Sequence, residues 1–208
     1  MNRVLHTDEL IVGNDGSFHN AHNEHHYSVQ NPHCLKIGHV QGWWTIAVWA
    51  GILYDRVIGP FFFEGGHVTG ETYRDFLRNH LEGLLVDIPQ EVRQNMWFQQ
   101  DGHPAHTAVE TRALLNEMFP QRWIGLRGQV QEWSPRSPDL AECDFYLWGM
   151  LKGKLFPPRP ANSEELKQKV RDIFRAVPPD EIARVHENMM RRIGLCLRQD
   201  WGHFEHVM

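Results

Sequence analysis

The sequence is poor in features that would place the protein in an extracellular or membrane class. It has three cysteines, Cys34, Cys143 and Cys196, whose odd number and wide spacing supply neither a disulfide framework nor a paired zinc-finger motif. This cysteine usage fits a reducing compartment. No run approaches the roughly 18 apolar residues of a membrane span, and no signal peptide opens the chain. We therefore expect no membrane partner.

Basic charge is also scarce for a protein that would grip nucleic acid by its phosphates. The chain has 21 Lys and Arg against 26 Asp and Glu, a net charge of −5. Nucleic-acid binding usually needs an excess of basic residues, so a DNA footprint would be local or supplied by another segment. Apolar side chains are plentiful, with 41% hydrophobic residues over 208 positions. That is enough for the core of one domain.

Hydrophobic periodicity predicts a mixed order of strands and helices in one domain without internal repeats. Strands are expected over 3–10, 43–51, 56–63, 96–101 and 122–124, and helices over 69–88, 105–118, 137–155, from 163 and over 178–198. Asn14-Asp15-Gly16 predicts a hairpin turn, and Pro60 predicts a position at an edge of the sheet or near a strand end. The stretch 125–135 reads as a loop.

Three aspartates lie in local settings that could fold into one divalent-metal site. Asp8 follows the first apolar residues, Asp101 closes a predicted strand and Asp144 lies inside a predicted helix. Mg²⁺ prefers oxygen ligands from one or two carboxylates, and two metals about 4 Å apart can clamp an in-line phosphoryl displacement. Taken singly, Asp8 is more often a turn or cap residue, and Asp101 before Gly-His-Pro is evenly balanced between the two interpretations.

Motifs around these aspartates resemble those of mariner-like transposases, which belong to the DDE/DDD superfamily. Thr7-Asp8-Glu9 looks like the first acidic motif, and the run Trp97–His106 looks like the second. The family's third acidic motif is matched by two neighbouring stretches. They are Ser134-Pro135-Arg136-Ser137-Pro138-Asp139-Leu140 and Asp144-Phe145-Tyr146-Leu147-Trp148-Gly149. Three further short segments match family sequences at corresponding positions: Asn31-Pro32-His33, Val48–Ile52 and Gly59-Pro60. The resemblance covers about residues 3–156.

The resemblance implies a ribonuclease-H-like fold of the α/β class, with a central mixed five-stranded sheet flanked by helices and further helices at the C-terminus. It implies a catalytic domain over 1–160 and a helical extension over 161–208 packed on the same domain. Asp8, Asp101 and Asp144 would hold two Mg²⁺ or Mn²⁺ ions, without a small-molecule cofactor. DNA would be the partner, a homodimer would form in the synaptic complex, and the location would be nuclear.

Supporting residues keep alternative interpretations. Glu9 is expected to support the site, while His106 is balanced between orienting a metal-bound carboxylate and an ordinary role at a helix start. The arginines Arg122, Arg127 and Arg136 could contact DNA, or could be scattered charge on a solvated loop. His19, His22, His25, His26, His33 and Cys34 lack zinc-ligand spacing and favour a polar strand or loop. Arg191-Arg192 and Arg198 favour a plain exposed helix face.

Two departures from the family pattern bear on whether a chain that has such a site is also catalytically active. Ala141-Glu142 stands where the family usually has a proline, and Glu142 and Asp144, two residues apart, should point in different directions. The chain also begins about seven residues before Asp8, so we expect it to lack the family's N-terminal helix-turn-helix modules. The sequence therefore predicts a metal-dependent endonuclease and strand-transfer domain, with a non-catalytic relic or co-opted scaffold of transposase origin as the alternative.

Overall fold

The computed structural model describes residues 3–14, 18–19, 44–133, 138–156 and 158–198. Several sequence predictions fall outside these ranges. They include Asn31-Pro32-His33, the segment Ser134–Ser137 with Arg136, Cys34 and the histidines between residues 20 and 33. Within the described part of the chain, no helix is both long and apolar enough to cross a membrane.

Seven strands and eight α-helices alternate along the described chain. The strands are β1 (Val4–Gly13), β2 (Phe18–His19), β3 (Thr45–Leu53), β4 (Arg56–Phe63), β5 (Trp97–Gln99), β6 (Trp123–Gly125) and β7 (Gln131–Glu132). The helices are α1 (Gly70–Asn79), α2 (Leu81–Leu84), α3 (Gln90–Asn95), α4 (Pro104–Thr107), α5 (Val109–Met118), α6 (Trp148–Leu155), α7 (Ser163–Arg175) and α8 (Pro179–Arg198).

All strands belong to one mixed sheet in the order β4-β3-β1-β5-β6-β7, with β2 paired to the end of β1. β1, β3 and β4 are antiparallel neighbours, whereas β5, β6 and β7 continue the sheet in parallel. The prediction of a mixed α/β sheet is confirmed. Its five predicted strands are the longer ones, and β2 and β7 add two residues each. Pro60 lies in β4, the edge strand of this order, as the sequence predicted.

The register between β1 and β5 explains how two distant aspartates reach the same level. Val4 lies opposite Trp97 and His6 opposite Gln99. Two residues further along the two strand directions lie Asp8, inside β1, and Asp101, just beyond the end of β5. Parallel neighbours advance together, so these carboxylates arrive side by side at the carboxyl end of β5.

Each face of the sheet carries its own layer of helices and its own core. Because strand side chains alternate, Leu5 and Ile11 of β1 face one layer while Leu10 and Val12 face the other. The first core includes Tyr73, Phe76, Leu77, Leu81, Leu114 and Leu115 from α1, α2 and α5. The second includes Trp148, Leu151, Leu166, Val170, Ile182 and Val185 from α6, α7 and α8. The C-terminal helices thus share a core with β1 and β3, while the boundary proposed at residue 160 stays a prediction.

Helix boundaries differ from the sequence prediction where the chain approaches the aspartates. α1 begins where expected, because Thr69 and Thr72 form a reciprocal capping box. The helix predicted over 105–118 is broken at Ala108, whose extended backbone (φ −54°, ψ 143°) separates α4 from α5. The helix predicted from Ser137 is wrong in its first half. A 3₁₀ turn over Pro138–Leu140 is followed by a π-helical turn over Cys143–Leu147, here called the π-turn, before α6 begins.

Candidate active site

Asp8 lies in the middle of the sheet and is almost fully buried, with 6% of its surface exposed. Its Oδ2 accepts a hydrogen bond of 2.7 Å from the indole Nε1–H of Trp148, which α6 brings over this face of the sheet. Burial raises the pKa of Asp8 well above its usual range, and the charges of Asp144, Asp101 and Glu9 raise it further, against the hydrogen bond from Trp148. The site is therefore a concentration of negative charge around one buried carboxylate.

Asp101 is held by the loop that follows β5. Its Oδ1 accepts a 2.9 Å hydrogen bond from the backbone N–H of His103, and the same oxygen lies 2.6 Å from Nδ1 of His106. Burial alone would raise the pKa of Asp101, but these hydrogen bonds and the charges of the two histidines lower it overall. Asp101 is therefore an ionised carboxylate with one oxygen already fixed in direction.

His106 lies between two carboxylates. Its side chain is 1% exposed, with Nδ1 against Asp101 and Nε2 3.2 Å from Oε2 of Glu9. The second contact has the distance of an ion pair without the alignment of a hydrogen bond. Burial lowers the pKa of His106, but Glu9 and Asp101 together raise it to about 10. With a carboxylate beside each ring nitrogen, His106 is a cation that donates from Nδ1 to Asp101 and is paired with Glu9 through Nε2.

This arrangement bears on which residues can bind metal. Ligand atoms of Glu9, Asp101 and His106 lie within 4.8 Å of one another, the one such group in the described residues. A protonated imidazolium has no lone pair to offer a metal. We therefore interpret the group as an ion-pair cluster that orients Asp101. Glu9 also points to the opposite face of β1 from Asp8, because neighbouring strand residues alternate.

Asp144 reaches the site from the π-turn rather than from a regular α-helix. It is half-buried, between the buried residues Ala141–Cys143 and Leu147. Among the neighbouring charges, that of Asp144 raises the pKa of Asp8 the most. π-helical turns inside helices are rare and occur frequently at functional sites. Asp144 and Asp101 thus lie close enough to Asp8 for their charges to raise its pKa. Among the described residues the three carboxylates are not a group with ligand atoms within 4.8 Å of one another, and their assignment as metal ligands stays a prediction.

Glu142 points away from that cluster into the interior. It is fully buried, and its Oε1 lies 2.8 Å from Nδ1 of His186 on α8. The other nitrogen of His186 lies 2.9 Å from the backbone oxygen of Tyr54, at the turn between β3 and β4. Burial lowers the pKa of His186, but the bond and charge of Glu142 raise it overall. Glu142 thus has an ion-pair partner 44 positions away in the chain.

The three arginines predicted to touch DNA have different surroundings. Nη1 of Arg122 donates to the backbone oxygens of Gln94 and Met96 at 2.6 and 3.3 Å, which ties it to the chain before β5. Arg127 is exposed and has a left-handed backbone with φ 63°. Arg136 lies outside the described residues. The DNA-contact assignment stays a prediction for all three.

Sequence reasoning missed the residues that hold the site in place. Trp148 was noted within a motif, but nothing in the sequence indicated its hydrogen bond to Asp8. Arg192, expected on an exposed face, is partly buried, with its guanidinium 4.3 Å from the ring centre of Phe145. His186 had no signal of its own. The replacement of proline by Glu142 was the one available clue, since a buried acid requires a partner.

The described sheet, with acidic residues on β1, after β5 and before α6, defines a ribonuclease-H-like α/β domain. Comparison with solved structures matches it to the catalytic domain of the Mos1 transposase, determined with Raltegravir and Mg, at a TM-score of 0.71 and 20% identity. That match covers 98% of this chain and 86% of the other. The Mos1 paired-end complex with left transposon end matches at 0.69 and 21%, covering 98% and 57%. The chain therefore has the fold of the Mos1 transposase catalytic domain.

A sequence relationship points the same way. The Tcb2 transposase of Caenorhabditis briggsae is 28% identical over 120 residues, which cover 58% of this chain. The aligned part amounts to 40% of that relative's length. No family model matches the chain.

Proposed function

We propose that this chain is a metal-dependent DNA-cleaving and strand-transfer domain of the mariner-like transposase type. The observation that carries the proposal is that Asp8 in β1 lies level with Asp101 just beyond the paired strand β5, and that Asp144 and Asp101 are near enough for their charges to raise the pKa of Asp8. The similarity to a transposase in sequence and to transposase catalytic domains in fold gives this cluster its chemical context.

The donor set suits Mg²⁺ or Mn²⁺. All three residues offer carboxylate oxygens, the ligands that hard divalent cations prefer. Burial, followed by the charges of Asp144, Asp101 and Glu9, raises the pKa of Asp8, and a bound cation would favour the ionised carboxylate against both effects. Asp8, Asp101 and Asp144 would hold the metal, which we propose to be two ions. Bound there, the metal would supply an activated nucleophile and neutralise charge that develops on the phosphate.

The protein's own contribution to the reaction is to hold the carboxylates in place. His106 and the backbone of His103 fix one oxygen of Asp101 and leave Oδ2 available. Trp148 fixes Oδ2 of Asp8. The π-turn sets the position of Asp144. A preorganised set of ligands reduces the rearrangement needed when substrate arrives.

DNA and a second copy of the chain are the partners that we propose. The support is that solved relatives include the Mos1 paired-end complex with left transposon end and a pre-cleavage Mos1 transpososome. A nuclear location is proposed with them and rests on the family resemblance. Gel filtration with and without DNA tests the dimer, and imaging of the tagged protein in cells tests the location.

The decisive experiment is a nicking assay on supercoiled plasmid DNA with Mn²⁺ or Mg²⁺. Wild-type protein is expected to nick only in the presence of the metal, and Asp101→Asn is expected to lower the rate at least a hundredfold. Asp139→Asn is the matched control, because Asp139 is an acid close to Asp144 in the chain for which we assign no role at the site. Its rate should stay within twofold of wild type.

The alternative of a non-catalytic relic gives a different pattern in the same assay. A folded protein that shows no metal-dependent nicking, and no Mn²⁺ binding by calorimetry with DNA present, would contradict the proposed function. Nicking that persists in Asp101→Asn at the wild-type rate would show that the activity comes from a contaminant or from another site.

A further inference from the structure

We infer that α8 is a positioning element for Asp144, acting through the buried pair Glu142–His186. This inference rests on the proposed function, because Asp144 needs positioning only if it acts. The chain of contacts begins at the sheet and ends at the aspartate. His186 links Glu142 to the backbone oxygen of Tyr54, and Glu142 lies directly before the π-turn that carries Asp144.

The first support is the geometry of the pair. Both nitrogens of His186 face acceptors, a carboxylate oxygen at 2.8 Å and a backbone oxygen at 2.9 Å. Each contact is directional, so the imidazole fixes Glu142 relative to the turn between β3 and β4. Because β3 pairs with β1 and Ala50 lies opposite Asp8, that turn belongs to the same sheet as Asp8. The pair therefore connects the start of the π-turn to the sheet that holds Asp8.

The second support is the free-energy cost of burying this ion pair, which an apolar pair of side chains would avoid. Glu142 is fully buried, and its Oε2 has no hydrogen-bond partner among the described residues. Both ring nitrogens of the nearby buried His6 are likewise without a hydrogen bond in that part of the chain. Replacing a buried ion pair with apolar side chains is often neutral or stabilising. Packing alone therefore gives no reason for an acid here, whereas orientation of the adjacent turn does.

The third support is that α8 holds the same segment at further points. The hydroxyl of Tyr146 donates a 2.6 Å hydrogen bond to Glu181. Arg192 stacks on Phe145 at 4.3 Å and donates a 3.1 Å hydrogen bond to the backbone oxygen of Asp139. These contacts lie on both sides of Asp144 in the sequence. A π-helical turn is rare, and here α8 contacts it and the preceding 3₁₀ turn, in addition to the contact of Cys143 Sγ with the backbone oxygen of His6.

The test uses the whole 208-residue chain and Mn²⁺ binding measured by calorimetry. Glu142→Gln removes the charge with little change in shape, and it is expected to weaken Mn²⁺ binding about tenfold. The turnover number for plasmid nicking should fall by a similar factor, with the KM for DNA changed less than twofold. Glu187→Gln is the matched control, because it makes the same chemical change at an exposed acid of α8, and it should leave all three quantities unchanged.

The Asp144→Asn background separates positioning from general damage. If Glu142 acts through Asp144, Glu142→Gln adds no further loss of Mn²⁺ affinity once Asp144 is neutral. An equal loss in both backgrounds would overturn the inference. His186→Gln keeps an N–H donor and serves as the milder second variant, expected to give a smaller change in the same direction.

Amide hydrogen exchange keeps this inference separate from the proposed function. Glu142→Gln is expected to speed exchange over residues 141–147 at least tenfold, while α1, on the opposite face of the sheet, stays unchanged. Wild-type protein that binds no Mn²⁺ would contradict the proposed function, and the exchange result would still judge the positioning role. Unchanged exchange over 141–147 would overturn that role.

Discussion

Asp101 and Asp144 enter the same site from two differently constructed sides of the molecule. Asp101 is held by His103 and His106, two and five positions away in the chain. Glu9, on the neighbouring strand β1, contacts His106. Asp144 lies in a turn that Glu181, His186 and Arg192 of α8 support, together with a contact from Cys143 Sγ to the backbone oxygen of His6 in β1. One side of the site is local in sequence, and the other depends on a helix that ends the described chain.

The local side is expected to show the largest effect on stability. His106→Leu leaves Asp101 and Glu9 facing an apolar side chain in a buried site. Removing one partner of a buried ion pair costs about 3–5 kcal/mol, so the free energy of unfolding should fall by about that amount in urea denaturation without metal. His80→Leu is the control, since His80 and its partner Asp75 are exposed. A change in His106→Leu no larger than in the control would show that the cluster contributes nothing.

The difference between these two sides also explains what the sequence could predict. The β1 and β5 motifs, the alternation in β1 and the turn at Gly102-His103-Pro104 are local patterns. They were enough to predict the mixed sheet and the juxtaposition of Asp8 with Asp101. A hydrogen bond between residues 142 and 186 leaves no periodic or spacing signal. The π-turn, the break at Ala108 and the roles of Trp148 and His186 arise from tertiary contacts that override local propensity.

The distal side is the one that α8 supports. Its buried pair Glu142–His186 should tolerate joint replacement, which the local side cannot. His186→Leu alone leaves Glu142 buried without its cation and is expected to cost about 3 kcal/mol. Glu142→Pro combined with His186→Leu should recover most of that loss, because φ of −60° at residue 142 suits proline and the pair becomes apolar. Urea denaturation of the single and double variants measures the recovery. A double variant as unstable as the single one would show that the pair is indispensable to the fold.

The pH dependence of the His186→Gln difference gives a smaller effect. The pKa of His186 is raised in the folded protein, against burial, by Glu142 and by the backbone oxygen of Tyr54, and the facing His6 has a lowered pKa. A raised folded pKa stabilises the protein fully below about pH 6.5, the unfolded value. That stabilisation is lost as pH rises through the folded value. Thermal melts from pH 6 upward should therefore show the advantage of wild type over His186→Gln shrinking. A constant difference would mean that His186 is not charged in the fold.

Arg192→Lys is expected to produce the smallest change, on the distal side. Lysine keeps the positive charge but loses the planar guanidinium that stacks on Phe145 and reaches the oxygen of Asp139. Cation–π contacts at partly exposed positions contribute about 0.5–1 kcal/mol, so the loss of stability should stay within that range. Amide exchange over residues 141–147 should nevertheless increase several-fold, because Arg192 holds the segment next to Asp144. Since lysine preserves the charge, a local increase without a matching global loss would assign the effect to the direction of the contact rather than to electrostatic attraction.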